Sequence, residues 1–321
     1  MRIALLGYGF MGGAHLAAMQ RVPGVEIVAV ASRTRPSADG PARGNLDLKS
    51  GPLPDSVHWT PDWHEVLADP TIDAVDICLP TDMHREVVLA AFHAGKHVLC
   101  EKPMALTVHD CNTMVLAAQR AGLTFMVAQV LRFMQPYCQA TEFVSKHRDT
   151  MQGATLQRGT GFPGWGGWLT DTARSGGAIL DLLSHDLDQA LALFGKPESV
   201  RAESLGEVDT ARCTLYYANG FEAVVEGGWF TPEVEFSASF ELHAAEVSLS
   251  FRDGVLRDGQ QVLDLSERDA YFDEIAYFVE CCRTGAQPDR CPPAASADAV
   301  RISTLLKASR DAGGREVSWQ S

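Results

Sequence analysis

The chain has 321 residues, 46% hydrophobic and 21% charged, which is enough apolar material for two ordinary domains with cores of their own. Its formal net charge of −14 disfavours nucleic acid and anionic membrane surfaces as partners. No apolar run approaches the roughly 18 residues of a spanning helix. The apolar stretch before Gly7 is too short for a signal peptide, so a cytoplasmic protein is expected. Eight cysteines, none in a CxxC pair, read as free thiols of a reducing compartment, and no metal site is expected.

In chain order, residues 3–6 read as a strand, followed by glycines and a helix through about Arg21. Residues 25–31 and 74–79 are further strands, and 84–94 is a helix that Gly95 can end. Residues 97–100 (strand), 108–120 (helix) and 124–128 (strand) complete the series. Alternation of strand and helix predicts a doubly wound parallel sheet over residues 1–128. The proline- and glycine-rich run 35–55 interrupts it and reads as an irregular, mobile surface connection. The pattern changes over residues 129–321. Helices are expected at 136–148 and 176–194, strands between 200 and 265, and closing helices at 271–283 and 295–310. Asn219-Gly220 marks a hairpin, so this half is expected to be α+β on a mostly antiparallel sheet.

Gly7-Tyr8-Gly9-Phe10-Met11-Gly12 follows the first strand and opens the first helix. In a G-x-G-x-x-G turn the first glycine permits the tight bend and the second lets the backbone approach a pyrophosphate. The third lets helix pack closely on strand. The first-turn N–H groups at Phe10, Met11 and Gly12 then face the phosphates. Glycines also mark plain turns, but this placement points to a dinucleotide. About 20 residues past the third glycine, where an acid would bond the ribose hydroxyl, stand Ser32, Arg33 and Thr34. With no carboxylate to repel a 2′-phosphate, NADP is favoured over NAD. Arg33 stacked on the adenine, with both cofactors accepted, is the plainer alternative.

Strand 97–100 runs into Glu101-Lys102-Pro103 at the carboxyl edge of the sheet, where such folds hold ligands. A lysine fixed there can stabilise charge developing on a reacting oxygen. A surface Glu–Lys pair is the alternative. With the glycine turn and Gly95-Lys96-His97-Val98, this segment resembles the Gfo/Idh/MocA oxidoreductase family, which includes glucose–fructose oxidoreductase and inositol dehydrogenases. The similarity runs over essentially the whole chain.

Leu180, Leu183, Leu187, Leu191 and Phe194 form an apolar helical stripe, with Asp181, His185 and Asp188 on a neighbouring one. At i and i+4, Asp181 is expected to contact His185, orienting it and favouring its protonated form. That suits a base that takes a hydroxyl proton. A purely structural His–Asp pair is the alternative. The resemblance implies that this Gly-Gly…Leu-Asp…His segment works with the lysine, which maps onto Asp181, His185 and Lys102; the usual third glycine is Ala178 here. It also implies that Pro80, Thr81 and His84 border the cofactor, and Glu101 joins these candidates; His84 also fits as a mere helix-end residue. Phe162, Trp165 and Trp168, with their glycines, suit stacking on a sugar face or the cofactor, or equally a packed corner, and Arg132 and Arg174 either an anion or surface pairs.

The combined reading is an NAD(P)-dependent dehydrogenase or reductase acting on a secondary hydroxyl or ketone of a sugar, polyol or related compound. A glycosidase using transient oxidation and a non-catalytic dinucleotide sensor are the alternatives. A homodimer or homotetramer is expected, with Val224, Phe236, Phe240 and Leu242 available for a subunit contact.

Overall fold

The computed structural model describes residues 1–35, 44, 53–164, 167–206, 208–266 and 268–320. The chain divides into two compact units, Met1–Val130 with Asp269–Ala297, and Leu131–Arg268 with Asp298–Ser321.

The first unit runs β1 (Arg2–Leu6), α1 (Phe10–Met19), β2 (Glu26–Ala31), β3 (His58–Thr60), α2 (Trp63–Ala68), β4 (Ala74–Ile77), α3 (Thr81–His93), β5 (His97–Glu101), α4 (Val108–Ala121) and β6 (Phe125–Ala128). The strands form one parallel sheet in the order β3-β2-β1-β4-β5-β6. Strands covered by helices on both faces read as near-continuous apolar runs, and β1, β4 and β6 are buried almost end to end, with Asp76 the polar residue among them. The order reverses between β1 and β4, so the crevice past their carboxyl ends is the ligand position of this fold. The short β3 and α2 were not anticipated; Asp62 caps α2 by accepting from the His64 N–H at 2.9 Å. The expected irregular connection at 35–55 falls mostly outside the described residues.

The second unit carries α5 (Gln135–His147), β7 (Met151–Gly161), α6 (Thr172–Ser175), α7 (Ala178–Asp181), α8 (Ser184–Phe194), β8 (Ser199–Ser204), β9 (Asp209–Tyr216), β10 (Glu222–Phe230), β11 (Ser237–Ala244), β12 (Val247–Arg252), β13 (Val255–Asp258) and β14 (Gln261–Leu263). After α9 (Ala270–Thr284) and α10 (Pro293–Asp311), β15 (Val317–Ser318) completes a nine-stranded sheet ordered β14-β13-β12-β11-β7-β10-β9-β8-β15. The hairpin β9–β10 forms at Asn219-Gly220, where Gly220 adopts φ +80°. Central β7 pairs antiparallel with β11 but parallel with β10, the one parallel neighbour in the described sheet. It was missed because its glycines and polar residues weaken the strand signal.

Two expectations need correction. The single helix 176–194 is broken: Leu183 N–H reaches Ala178 O, five residues back, at 2.9 Å, before α8 begins. Asp181 and His185 therefore stand on different helices, and the i, i+4 rule does not set their facing. Second, Phe240 and Leu242 are not available to another subunit. Alternation along β11 turns both into their own core, with Leu183, Leu187 and Val225.

Helix α9 closes the first unit. Asp269 caps it by accepting from Tyr271 and Phe272 N–H, and Arg21, just past α1, pairs with Asp269 at 2.6 Å. Among the described residues no helix is long and apolar enough to cross a membrane.

Candidate active site

At the first unit's crevice, Gly7 (φ +102°) lies so close to β4 that a Cβ would sit 2.3 Å from Cys78 O. A Cβ on Gly12 would come within 2.1 Å of Gly7 O, so helix and turn fit only as glycine. Gly9 differs. It is exposed at the α1 N-terminus, no side chain caps the helix, and a Cβ there would meet nothing within 4 Å. Phe10, Met11 and Gly12 form the helix's first turn, whose N–H groups have no acceptor within the helix. That open face fits a pyrophosphate. Gly9→Ala should therefore leave stability within about 0.5 kcal/mol while weakening dinucleotide binding by about tenfold or more. Thermal melts alongside cofactor titration check both halves.

Past β2, Ser32 Oγ donates to Thr34 O at 2.8 Å and accepts from Trp59 Nε1 at 3.0 Å, so its proton is committed to its own turn. Arg33 and Thr34 are exposed. Past β4, Pro80 precedes α3, and the buried Thr81 hydroxyl has no partner among the described residues. His84 is placed otherwise than as an open cofactor contact. Its ring is 1% exposed, with Nδ1 2.9 Å from Pro103 O and Nε2 2.8 Å from Leu79 O, tying the turn after β4 to the turn after β5. Burial lowers its pKa. The neutral ring has one N–H, so it can donate to one of the two carbonyls at a time.

Lys102 follows the last residue of β5 and is half-buried; its peptide to Pro103 is cis. Its N–H donates to Glu101 Oε2 at 2.8 Å. Burial would raise the Glu101 pKa, but His15 and Lys102 outweigh it and hold the carboxyl low.

In the second unit, Asp181 ends α7 and His185 lies in the first turn of α8, both half-buried. Gly176 and Gly177 adopt φ +82° and +79° ahead of α7. Ala178 is helical, so its replacement of a third glycine costs nothing in backbone conformation. Ala178 N–H donates to Asp209 Oδ2 at 2.6 Å; Asp209 is held by Arg310, and Lys307 Nζ donates to Gly176 O, each also at 2.6 Å. Asp186 is bound by Arg158 and Asp188 by Arg132, both within 2.8 Å. Arg132 holds Asp188 with two hydrogen bonds. These anchors fix the segment bearing Asp181 and His185 from both sides, and no spacing of residues along the chain indicates which arginine meets which acid. Phe162 packs edge-on to Trp229 at 5.6 Å, beside Ala178 and Leu182. Trp168 and Arg174 are half-buried, and Trp165 lies outside the described residues.

A parallel sheet with a glycine turn at its switch point and a lysine past a neighbouring strand defines a dinucleotide-dependent oxidoreductase. Residues 1–129 match the oxidoreductase family with the NAD-binding Rossmann fold, residues 150–250 match the GFO/IDH/MocA C-terminal domain, and the chain belongs to this family of NAD(P)-dependent oxidoreductases. It is 26% identical to myo-inositol 2-dehydrogenase of Thermotoga maritima, over 95% of this chain and 94% of that one. It is likewise 26% identical to D-xylose 1-dehydrogenase (NADP(+)) 2 of Haloferax volcanii, over 88% and 90%. The fold is shared with levoglucosan dehydrogenase in complex with NADH (TM-score 0.83, 20% identity, 99% and 98% covered).

Proposed function

We propose that the protein is a dehydrogenase or reductase for a secondary hydroxyl or ketone of a sugar, polyol or related compound. The observation that carries this is Lys102 at the carboxyl edge of β5, in the unit that bears the glycine turn. The sugar and inositol dehydrogenases among its relatives support the substrate class. A nicotinamide dinucleotide bound at the turn supplies the hydride acceptor, or its donor in the reverse direction. The chain's own residues handle the oxygen and its proton. Lys102 donates to the substrate oxygen and stabilises its developing charge, His185 takes the hydroxyl proton, and Asp181 orients His185. Incubating the protein with NADP+ or NAD+ and a panel of sugars and inositols, followed at the absorbance of the reduced cofactor, tests this. Turnover with a panel member supports it, and none with any member contradicts it.

NADP is the favoured cofactor. No carboxylate stands among residues 32–34, Ser32 is turned inward, and exposed Arg33 is free of any acidic neighbour in that run. Arg33→Ala should raise Kd for NADP+ about tenfold, the scale of a charge-assisted hydrogen bond, and leave NAD+ binding nearly unchanged. Tighter binding of NAD+ than NADP+ by the unaltered protein would overturn the preference. A homodimer or homotetramer is proposed with it, to be checked by solution mass.

A further inference from the structure

Beneath the Glu101–Lys102 turn lies a cluster that the proposed chemistry leaves unused. His15 of α1 is fully buried; its Nδ1 is 2.8 Å from Asp76 Oδ2 of β4, and its Nε2 is 3.1 Å from Glu101 Oε1, an ion-pair contact. Cys78 Sγ lies 3.5 Å from the same Nδ1. From α9, Tyr271 stands with its ring 6.1 Å from the imidazole. One turn on, Glu274 is fully buried, and neither carboxyl oxygen has a hydrogen-bond partner among the described residues.

His15, Asp76 and Cys78 are close enough to suggest a metal, with ligand atoms within 4.8 Å of one another. The ring, however, already faces a carboxylate on each nitrogen. An imidazole in that position is itself the cation of the cluster, hydrogen-bonded to Asp76 through Nδ1 and facing Glu101 through Nε2 as an ion pair. We propose that His15 is a positioning residue for Lys102, acting through Glu101. One oxygen of Glu101 faces the ring, and the other accepts the Lys102 N–H. The imidazolium therefore fixes the carboxylate, and the carboxylate fixes the backbone from which the lysine side chain springs. This rests on the role given to Lys102 above.

The charges agree with this arrangement. Burial alone would lower the His15 pKa, but the Asp76 carboxylate holds it well above the ordinary imidazole value. Glu274 is kept well above the usual carboxylate range by burial and by Glu101 and Asp76, against His15 and Arg290, so it sits in the cluster as a neutral acid. The Cys78 thiol is pushed up by burial and stays protonated. Because His15 gains its proton on folding, its contribution to stability is complete below the ordinary imidazole value and is lost as pH rises through the raised one.

The test uses the full chain labelled with [15N]histidine, with His15→Gln to assign the ring signals. Both ring nitrogens of His15 should keep protonated shifts at about pH 8, well past the ordinary imidazole value, and Glu101→Gln should move the Nε2 signal. With the substrate found in the panel, His15→Gln and Glu101→Gln should lower kcat about 10–100-fold, with KM and cofactor Kd changed far less. Glu101→Gln keeps the His15–Asp76 pair, so it remains informative should His15→Gln fold poorly. A neutral His15 at pH 8, an Nε2 signal indifferent to Glu101→Gln, or an unchanged kcat in both variants would each overturn the proposal. Absence of all turnover in the unaltered protein would instead sink the reading of Lys102, and the ring signals, recorded without substrate, would then decide the His15–Glu101 link.

Discussion

Lys102→Ala is expected to lower kcat by about 10²–10³-fold, the scale of removing one donor from a developing oxyanion, while cofactor Kd stays within a small factor. The split follows from where the residue stands. Lys102 lies past β5, whereas the glycines that form the phosphate turn lie past β1, two strands away in the sheet order. Its backbone remains anchored by Glu101 whatever the side chain, so the truncation removes the ammonium without undoing the turn. Steady-state kinetics beside cofactor titration reads both quantities. Loss of cofactor binding with the activity would move Lys102 into the dinucleotide site.

Asp186→Ala should cost about 3–5 kcal/mol, because it strands a buried guanidinium. Arg158 is 5% exposed and Asp186 not at all, with Nε–Oδ2 at 2.6 Å and Nη2 shared between Asp186 and Tyr137. At 5% exposure the guanidinium has little access to solvent that could replace the lost carboxylate. At roughly 2–4 °C per kcal/mol for a unit of this size, the melting transition should fall by about 6–20 °C. The loss should reach activity too, since Asp186 adjoins His185 and anchors the start of α8. A double variant, Arg158→Met with Asp186→Leu, should recover much of the stability, because the pair's attraction mostly offsets its own desolvation. A single variant that melts within a degree or two of the parent would contradict this assignment.

The doubly wound sheet was legible because strands buried on both faces read as near-continuous apolar runs, as residues 3–6 and 125–128 do, and 74–77 apart from Asp76. The glycine turn was legible because its spacing is imposed by sterics: Gly7 and Gly12 each face backbone oxygen at a distance no Cβ tolerates. What escaped depends on pairing across the chain. The break at Leu182–Leu183 leaves the apolar period intact, so periodicity drew one helix through it. Strand β7 is central because of its neighbours β10 and β11, which lie some 70 to 80 positions downstream, and nothing in its own residues announces that. Phe240 and Leu242 were assigned to a subunit contact because alternation identifies an apolar face without saying what covers it. His15 drew no attention because a histidine within an alanine-rich helix has no signature until Asp76 and Glu101 close on it.

The most direct test of hydride transfer uses the substrate found in the panel, carrying deuterium on its carbinol carbon. One deuterium per turnover should appear in the reduced dinucleotide, with reduced cofactor accumulating in step with ketone. Product formed without that label, or with no net reduction of the dinucleotide, would contradict it.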